Sequence, residues 1–120
     1  MDGCAVAGTV HLLGQKWAPV VLQEVSLNGE KGFNALYRRM RKVSPKILAR
    51  RLKDLEALGI IERKEIKTAR QNRTSYKLTQ KGSDLNDILS KLRQWNSRYT
   101  PEAKECGNRN CVECPLYLEM

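Results

Sequence analysis

Three cysteines near the end of the chain have the spacing of a metal or cluster site. Cys106, Cys111 and Cys114 form a C-x4-C-x2-C pattern that is followed by Pro115. The same local spacing occurs in plant-type ferredoxins, where a distant fourth cysteine completes the ligand set, and zinc accepts four-cysteine sites with similar gaps. Cys4 is the remaining cysteine of the chain and is therefore the candidate fourth ligand.

The cysteine pattern leaves four interpretations open: an iron–sulfur cluster, a zinc ion, a thiol–disulfide switch, and thiols without a ligand. Residues 1–17 lack the charged start and the cleavage pattern of a signal peptide, and no apolar run approaches the length of a membrane span. We therefore expect a cytoplasmic protein, in which structural disulfides are uncommon.

The sequence offers little for catalysis. His11 is the only histidine and has no nearby partner, so we interpret it as a surface or helix-packing residue. There is no glycine-rich phosphate loop, no pair of carboxylates in an apolar setting, and no histidine placed to activate a cysteine nucleophile. We therefore do not expect an enzyme.

The positive charge of the chain is concentrated in its middle. The net charge is +9, whereas the segment from Arg38 to Lys77 alone carries fourteen Lys and Arg residues against four carboxylates, a net +10. Such a segment is typical of a protein that binds a polyanion. Because the basic residues are spread over several elements rather than one amphipathic helix, nucleic acid is favoured over a membrane surface.

The stretch from Ser44 to Gly59 predicts a short helix with an apolar back and a cationic front. Ser44 can cap this helix, Pro45 suits its first position, and Gly59 stands where a helix usually ends. Leucines recur on one face at helical spacing, and lysines and arginines fall on another. A shorter helix is predicted over residues 33–41, and the tight turn between the two is typical of a helix-turn-helix motif.

Two strands are predicted at residues 60–66 and 74–78, where the apolar period changes from helical to alternating. The polar and basic segment 67–73 between them is expected to form the tip of a hairpin. A helix-turn-helix followed by such a hairpin is a winged helix. The predicted fold is therefore mainly α with a small β-hairpin wing.

Further helices are predicted over residues 5–13, 17–27 and 80–98. The last is long for so small a domain and carries a heptad-like apolar seam, which we interpret as a dimer interface rather than only as core packing. Residues 1–99 are thus expected to form a winged helix DNA-binding and dimerisation domain, followed by a cysteine-rich tail at 100–120. The seam consists of Leu85, Ile88, Leu92, Trp95 and Tyr99.

In this order the elements resemble the HxlR-type winged helix transcriptional regulators, relatives of the MarR group. The resemblance covers about residues 4–96 and is specific in its combined order. The matching positions are Cys4, 12–17 (LLGQKW), 33–36 (FNAL), 44–58 (SPKILARRLKDLEAL), 59–63 (GIIER), 76–82 (YKLTQKG) and Trp95.

The resemblance implies a homodimer held by the N-terminal and C-terminal helices, and a palindromic operator near a promoter. It also implies that Cys4 matches the position of a redox- or electrophile-sensing thiol in part of the family. Because a regulator can use a cluster as a reversible redox or oxygen signal, an iron–sulfur cluster is favoured over zinc. Cys4 could complete the site within its own subunit or across the dimer.

Double-stranded DNA is the expected partner, and ten residues are predicted to contact it. Residues near the start of the cationic helix should meet base edges in the major groove: Ser44, Lys46, Ile47, Arg50 and Arg51. Phosphate contacts are expected from Arg38, Arg39 and Lys42. Arg70 and Arg73 at the wing are expected to enter the adjacent minor groove. The alternative function is a winged helix that binds nucleic acid without sequence choice, or serves as an interaction module, with a structural zinc site.

Overall fold

The computed structural model describes residues 4–27, 31–40 and 42–99. Within these ranges, five helices and a small three-stranded sheet pack around one hydrophobic core. No helix in these ranges combines the length and the apolar character needed to cross a bilayer. The elements are α1 (Ala5–Leu13), α2 (Ala18–Ser26), β1 (Lys31–Gly32), α3 (Phe33–Arg39), α4 (Pro45–Ala57), β2 (Ile61–Lys67), β3 (Asn72–Leu78) and α5 (Gln80–Tyr99).

Helix α2 lies at the centre of the core. Every residue from Ala18 to Val25 except Pro19 is buried, and the helix packs against α4, α5 and β3. Trp17 precedes it with a φ of 75°, a left-handed conformation that is uncommon for residues other than glycine. Trp17 is itself buried, so burial of the indole holds the turn between α1 and α2 in this conformation.

Helices α3 and α4 form the helix-turn-helix. The predicted start of α4 is confirmed, because the Ser44 hydroxyl accepts a hydrogen bond from the Ile47 amide at 3.2 Å and Pro45 occupies the first turn. Leu48, Leu52 and Leu55 point into the core. The chain leaves the helix through Gly59, whose φ of +72° is a conformation that glycine adopts at little cost.

The three strands form an antiparallel sheet in the order β1-β3-β2. The β2–β3 hairpin is longer than the sequence predicted, since pairing extends from Ile61 opposite Leu78 to Lys67 opposite Asn72. The tip is therefore only residues 68–71. Strand β1, which the sequence analysis did not predict, adds two pairs on the free side of β3. The winged helix fold is thereby confirmed.

Helix α5 packs through only part of its apolar seam. Leu85 and Leu89 lie in the chain's own core, with 9% and 5% of their surface exposed. Leu85 was predicted to belong to a dimer seam. It lies on nearly the same face as Leu92, but in the first turns of α5, where the helix packs on the chain's own core. The other four predicted seam residues, Ile88, Leu92, Trp95 and Tyr99, are exposed.

The start of α5 is bonded to the chain just beyond α4. The Thr79 amide donates to the Ile60 carbonyl at 3.1 Å, and the Thr79 hydroxyl accepts from the Gly82 amide at 3.1 Å. The Lys81 ammonium donates to the Leu58 carbonyl at 2.7 Å. These contacts fix the dimerisation helix predicted from the sequence against the end of α4.

Candidate DNA-binding interface

The outward face of α4 carries a stripe of cations. Lys46, Arg50 and Lys53 are exposed and follow one another by four and three residues, so they share one helix face opposite the buried leucines. Among residues 4–27, 31–40 and 42–99, none of the three has an ion-pair partner. Their charge is therefore available to an external anion. Lys53 extends the stripe beyond the residues that the sequence predicted to contact DNA. It is one of the lysines on the cationic face of the predicted helix.

Two predicted base-reading residues also serve the fold. The Ser44 hydroxyl caps α4, and Ile47 is half-buried and packs against the core. Ser44 remains exposed at the start of the helix. Both therefore lie at the end of α4 that would enter a major groove first, with Ser44 the more accessible of the two.

Arg51 does not lie on the outward stripe. Its side chain is 12% exposed, and its Nε donates to the Lys16 carbonyl oxygen at 2.8 Å, while a terminal nitrogen lies 3.5 Å from the Asp54 carboxylate. A step of one residue from Arg50 rotates the side chain about 100° around the helix. This rotation directs Arg51 to the turn between α1 and α2, so the structure gives it a structural contact where the sequence predicted base readout.

The residues predicted to contact phosphates fall into two groups. Arg38 and Lys42 are exposed and have no ion-pair partner in the described part of the chain. The Arg39 Nε lies 3.3 Å from the carboxylate of Glu24, which is completely buried in α2. A buried carboxylate requires a partner of opposite charge or several hydrogen bonds. Arg39 therefore stabilises the core, and its half-exposed remainder can still face DNA.

The tip of the wing is a closed turn that presents Arg70. The Thr68 amide donates to the Gln71 carbonyl at 2.8 Å, and the Thr68 hydroxyl accepts from the Gln71 amide at 3.0 Å. Arg70 is exposed between them. Arg73 lies lower, in β3 opposite Ile66. The predicted pair of wing arginines therefore lies at two different places.

The stem of the wing carries its own network of charges. Arg63 lies 3.0 Å from the Glu65 carboxylate, which also pairs with Lys67 at 3.9 Å. A hydrogen bond with Tyr76 raises the pKa of Arg63 above its ordinary value, and Glu65 acts in the same direction. Arg63 carries a permanent positive charge, as arginine does in proteins, and this charge is already partly balanced within the hairpin.

Cys4 is the only predicted metal ligand within the described residues. Its thiol is exposed, and its sulfur accepts a hydrogen bond from the Ala7 amide at 3.4 Å as the cap of α1. No group of three or more metal-binding side chains occurs in the part of the chain that the structure describes. The other predicted ligands, Cys106, Cys111 and Cys114, lie outside the described residues.

An exposed apolar face extends along α1 and α5. Between the two helices lies a groove of about 760 Å³, lined by Leu12, Ile60 and Leu85 among others. The rings of Trp95 and Tyr99 contact each other at a centroid distance of 5.8 Å. The α1 residues were missed in the sequence analysis, although their spacing of four is a helical signal. The exposed side chains of this face are Val6, Val10, Ile88, Leu92, Trp95 and Tyr99.

Comparison of the sequence with known proteins identifies relatives along most of the chain. Residues 12–104 match the HxlR-like helix-turn-helix family. An HTH-type transcriptional regulator from Methanothermobacter thermautotrophicus is 32% identical over 106 residues, which are 88% of this chain and 79% of that protein. The HTH-type transcriptional regulator YodB from Bacillus subtilis is 30% identical over 102 residues, 85% of this chain and 86% of YodB.

Solved structures agree with this assignment. The reduced form of YodB has a TM-score of 0.74 at 27% identity and covers 83% of this chain and 96% of its own. The reduced form of the redox regulator HypR has a TM-score of 0.70 at 26% identity, with 83% and 99% covered. The winged helix fold, the unpaired cationic stripe on α4 and the relatives all indicate the same kind of protein. The chain belongs to the HxlR family and is a DNA-binding transcriptional regulator of that type.

Proposed function

We propose that the chain acts as a homodimer that binds a palindromic operator, and that the state of its cysteines controls its affinity for DNA. The observation that carries the DNA-reading part is the unpaired stripe of Lys46, Arg50 and Lys53 on the outward face of α4. α4 is the second helix of the helix-turn-helix and is called the recognition helix below, because this helix enters the major groove in such proteins.

Arg50 is the residue we assign to base recognition. Its guanidinium is exposed and unpaired within the described residues, one turn beyond the start of the recognition helix. A guanidinium can donate two parallel hydrogen bonds to O6 and N7 of guanine, which distinguishes that base from the other three. Lys46 and Lys53 on either side lack this planar fork and are better suited to phosphates or to a single acceptor.

The exposed apolar face supports the dimer. Six exposed apolar side chains on α1 and α5, with Trp95 57% and Tyr99 72% exposed, are more than isolated surface residues require and are typical of a protein interface. A second copy packed on this face would bury these side chains and place two recognition helices on one side of the assembly. A twofold protein binds half-sites separated by about one helical turn of DNA, roughly 34 Å.

The cysteines are proposed to bind an iron–sulfur cluster through Cys4, Cys106, Cys111 and Cys114. The exposed thiol of Cys4, at the beginning of a helix that carries the apolar face, supports this because a ligand there would connect the tail to the dimer. A cluster would supply reversible electron transfer. Zinc in the same four-cysteine set, and a thiol–disulfide switch without metal, are the competing proposals. The solved relatives YodB and HypR include diamide-treated and oxidised forms, which favours some redox response.

The metal proposal is tested on protein purified without oxygen. Visible absorption from sulfur-to-iron charge transfer, with matching iron and sulfide content, is the expected result. Cys111→Ser should abolish the absorption, whereas Ser83→Ala, an exposed position on α5, should leave it unchanged. A colourless protein with one zinc per chain would establish the zinc alternative. A metal-free protein would exclude both metal sites and leave the thiol–disulfide switch as the remaining proposal. Mass spectrometry of the diamide-treated protein would then detect the disulfide.

The DNA-reading proposal is tested with an operator selected by the wild-type protein from random sequences. We expect Arg50→Ala to weaken operator binding by about 1–3 kcal/mol, which is about fivefold to 150-fold, and to weaken binding to random DNA much less. Lys91→Ala removes an exposed cation from α5 and is the matched control. An equal loss of affinity for both DNAs would show that Arg50 only contacts a phosphate. It would favour the alternative, in which the protein binds DNA without sequence choice.

A further inference from the structure

A cleft of about 450 Å³ separates the start of α3 from the outer part of the wing. Its lining mixes polar and apolar residues, and its two walls come from different elements. One wall belongs to the first helix of the helix-turn-helix, and the other to β2 and β3 of the hairpin. The residues that matter here are Phe33, Asn34 and Arg38 on the side of α3, and Ile66, Arg73 and Thr74 on the side of the wing.

The cleft carries positive charge that nothing in the described part of the chain neutralises. Arg38 and Arg73 line it from opposite walls, both are exposed, and neither has an ion-pair partner among the described residues. None of the described residues that line the cleft is an aspartate or a glutamate. Two cationic side chains that border one cleft repel each other less when an anion lies between them. The arrangement is therefore suited to an anion with several acceptor oxygens.

The pairing of the hairpin explains why Arg73 belongs to this cleft. Arg73 pairs with Ile66, one pair before the end of the hairpin, whereas Arg70 lies in the turn itself. Side chains two residues apart in a strand point to the same face, so Arg73 shares the face of Ser75, which is buried opposite Gly32 at the start of α3. Ile66, the cross-strand partner of Arg73, and Ser75 line the cleft together with Arg73, so this face of the hairpin borders the cleft, whereas Arg70 lies at the tip.

We propose that this cleft binds one phosphodiester of the DNA backbone, held between Arg38 and Arg73, with Asn34 as an uncharged donor. The inference rests on the DNA-binding function given above and adds a site to it. The first helix of a helix-turn-helix crosses the DNA backbone, while the wing extends toward the neighbouring minor groove. The backbone strand between these two elements passes the cleft. Arg73 thereby becomes a phosphate contact, in place of the minor-groove role predicted from the sequence.

Two properties distinguish one shared phosphate from two separate contacts. Each arginine removed should weaken operator and random DNA by the same factor, about tenfold at 0.1 M salt, and should lower the slope of log K against log salt by about 0.9. Because both side chains hold one phosphate, the double variant should lower the slope little further. Arg70→Ala, which removes the cation at the tip, is the matched control and should not show this non-additivity with Arg38→Ala.

The decisive experiment replaces single operator phosphates with uncharged methylphosphonates. We expect one linkage per half-site whose replacement weakens the wild type about tenfold but leaves both Arg38→Ala and Arg73→Ala unaffected. Arg73→Lys keeps the charge and should retain sensitivity at the same linkage. Different linkages for the two arginines, or none, would overturn the proposal, as would a loss confined to the operator.

Two further results would distinguish this proposal from a failure of DNA binding and from the binding of a free anion. If the wild type binds no duplex at all, the DNA-binding proposal fails together with the cleft. A free anion is the other source of the same chemistry, and it is probed with inorganic phosphate in the absence of DNA. If phosphate shifts the amide resonances of Asn34 and Thr74 at millimolar concentration while no methylphosphonate has an effect, the cleft binds a free anion and the backbone assignment is overturned.

Discussion

Replacement of Gly82 by alanine tests how α5 is joined to the recognition helix. A Cβ added at Gly82 lies 2.0 Å from the Ile60 carbonyl oxygen and 3.0 Å from its carbonyl carbon, whereas real Cβ atoms essentially never approach other heavy atoms within 3.0 Å. The atom that blocks it belongs to the backbone and cannot rotate away. The start of α5 must therefore move about 1 Å from Ile60.

The size of the effect follows from the bonds that this movement breaks. The amide and hydroxyl of Thr79 lie 3.1 and 3.0 Å from the Ile60 carbonyl oxygen, and a shift of about 1 Å takes both beyond hydrogen-bond range. Two bonds at about 1 kcal/mol each, with about 1–2 kcal/mol of crowding, exceed the roughly 1 kcal/mol that alanine gains over glycine in a helix. We expect Gly82→Ala to lower the free energy of unfolding by about 2–3 kcal/mol.

The assay is urea and thermal denaturation followed by circular dichroism, at one protein concentration because the proposed dimer would contribute to stability. The expected fall in melting temperature is about 10 °C for a chain of this length. Ser83→Ala changes the adjacent exposed position and should alter the free energy of unfolding by less than about 0.5 kcal/mol. A Gly82→Ala protein as stable as the wild type would refute the close contact between α5 and Ile60.

Two other substitutions test separate contacts. Arg39→Ala removes the guanidinium 3.3 Å from the buried Glu24 carboxylate and should lower the free energy of unfolding in urea by about 1–2 kcal/mol, whereas Arg38→Ala should change it by less than about 0.5 kcal/mol. Equal effects would contradict the structural role of Arg39. Leu92→Glu places a charge on the exposed apolar face and should shift the sedimentation equilibrium from dimer to folded monomer. Unchanged sedimentation with intact circular dichroism would exclude this face as the interface.

The parts of the fold that the sequence predicted well are those with local signals. The recognition helix has a capping serine, a proline in its first turn, leucines at helical spacing and a glycine beyond its end, all within sixteen residues. Strand β1 has only two residues and exists because β3 is there to pair with it. The extended hairpin likewise depends on the hydrogen bonds between Thr68 and Gln71, which the composition of the tip did not reveal.

The candidate site was predictable as a region but not residue by residue. Arg50 and Arg51 are identical in type and adjacent, yet one is exposed and the other donates to a carbonyl 35 residues away. Arg38 and Arg39 differ in the same way: Arg38 is exposed, whereas Arg39 pairs with Glu24 on α2, the helix that α3 packs against. Charge and spacing along the sequence give the face of a helix only approximately. The position of distant partners then decides which arginine bends inward.

The recognition helix is attached to both of the helices that carry the exposed apolar face. Arg51 links its middle to the turn after α1, and Thr79 and Lys81 link α5 to the carbonyl oxygens just beyond its end. Each winged helix can therefore rotate only together with α1 and α5. In a twofold assembly, a small change in the angle at which the two α5 helices cross would alter the distance between the two major-groove contacts, while the interior of each chain stays as it is.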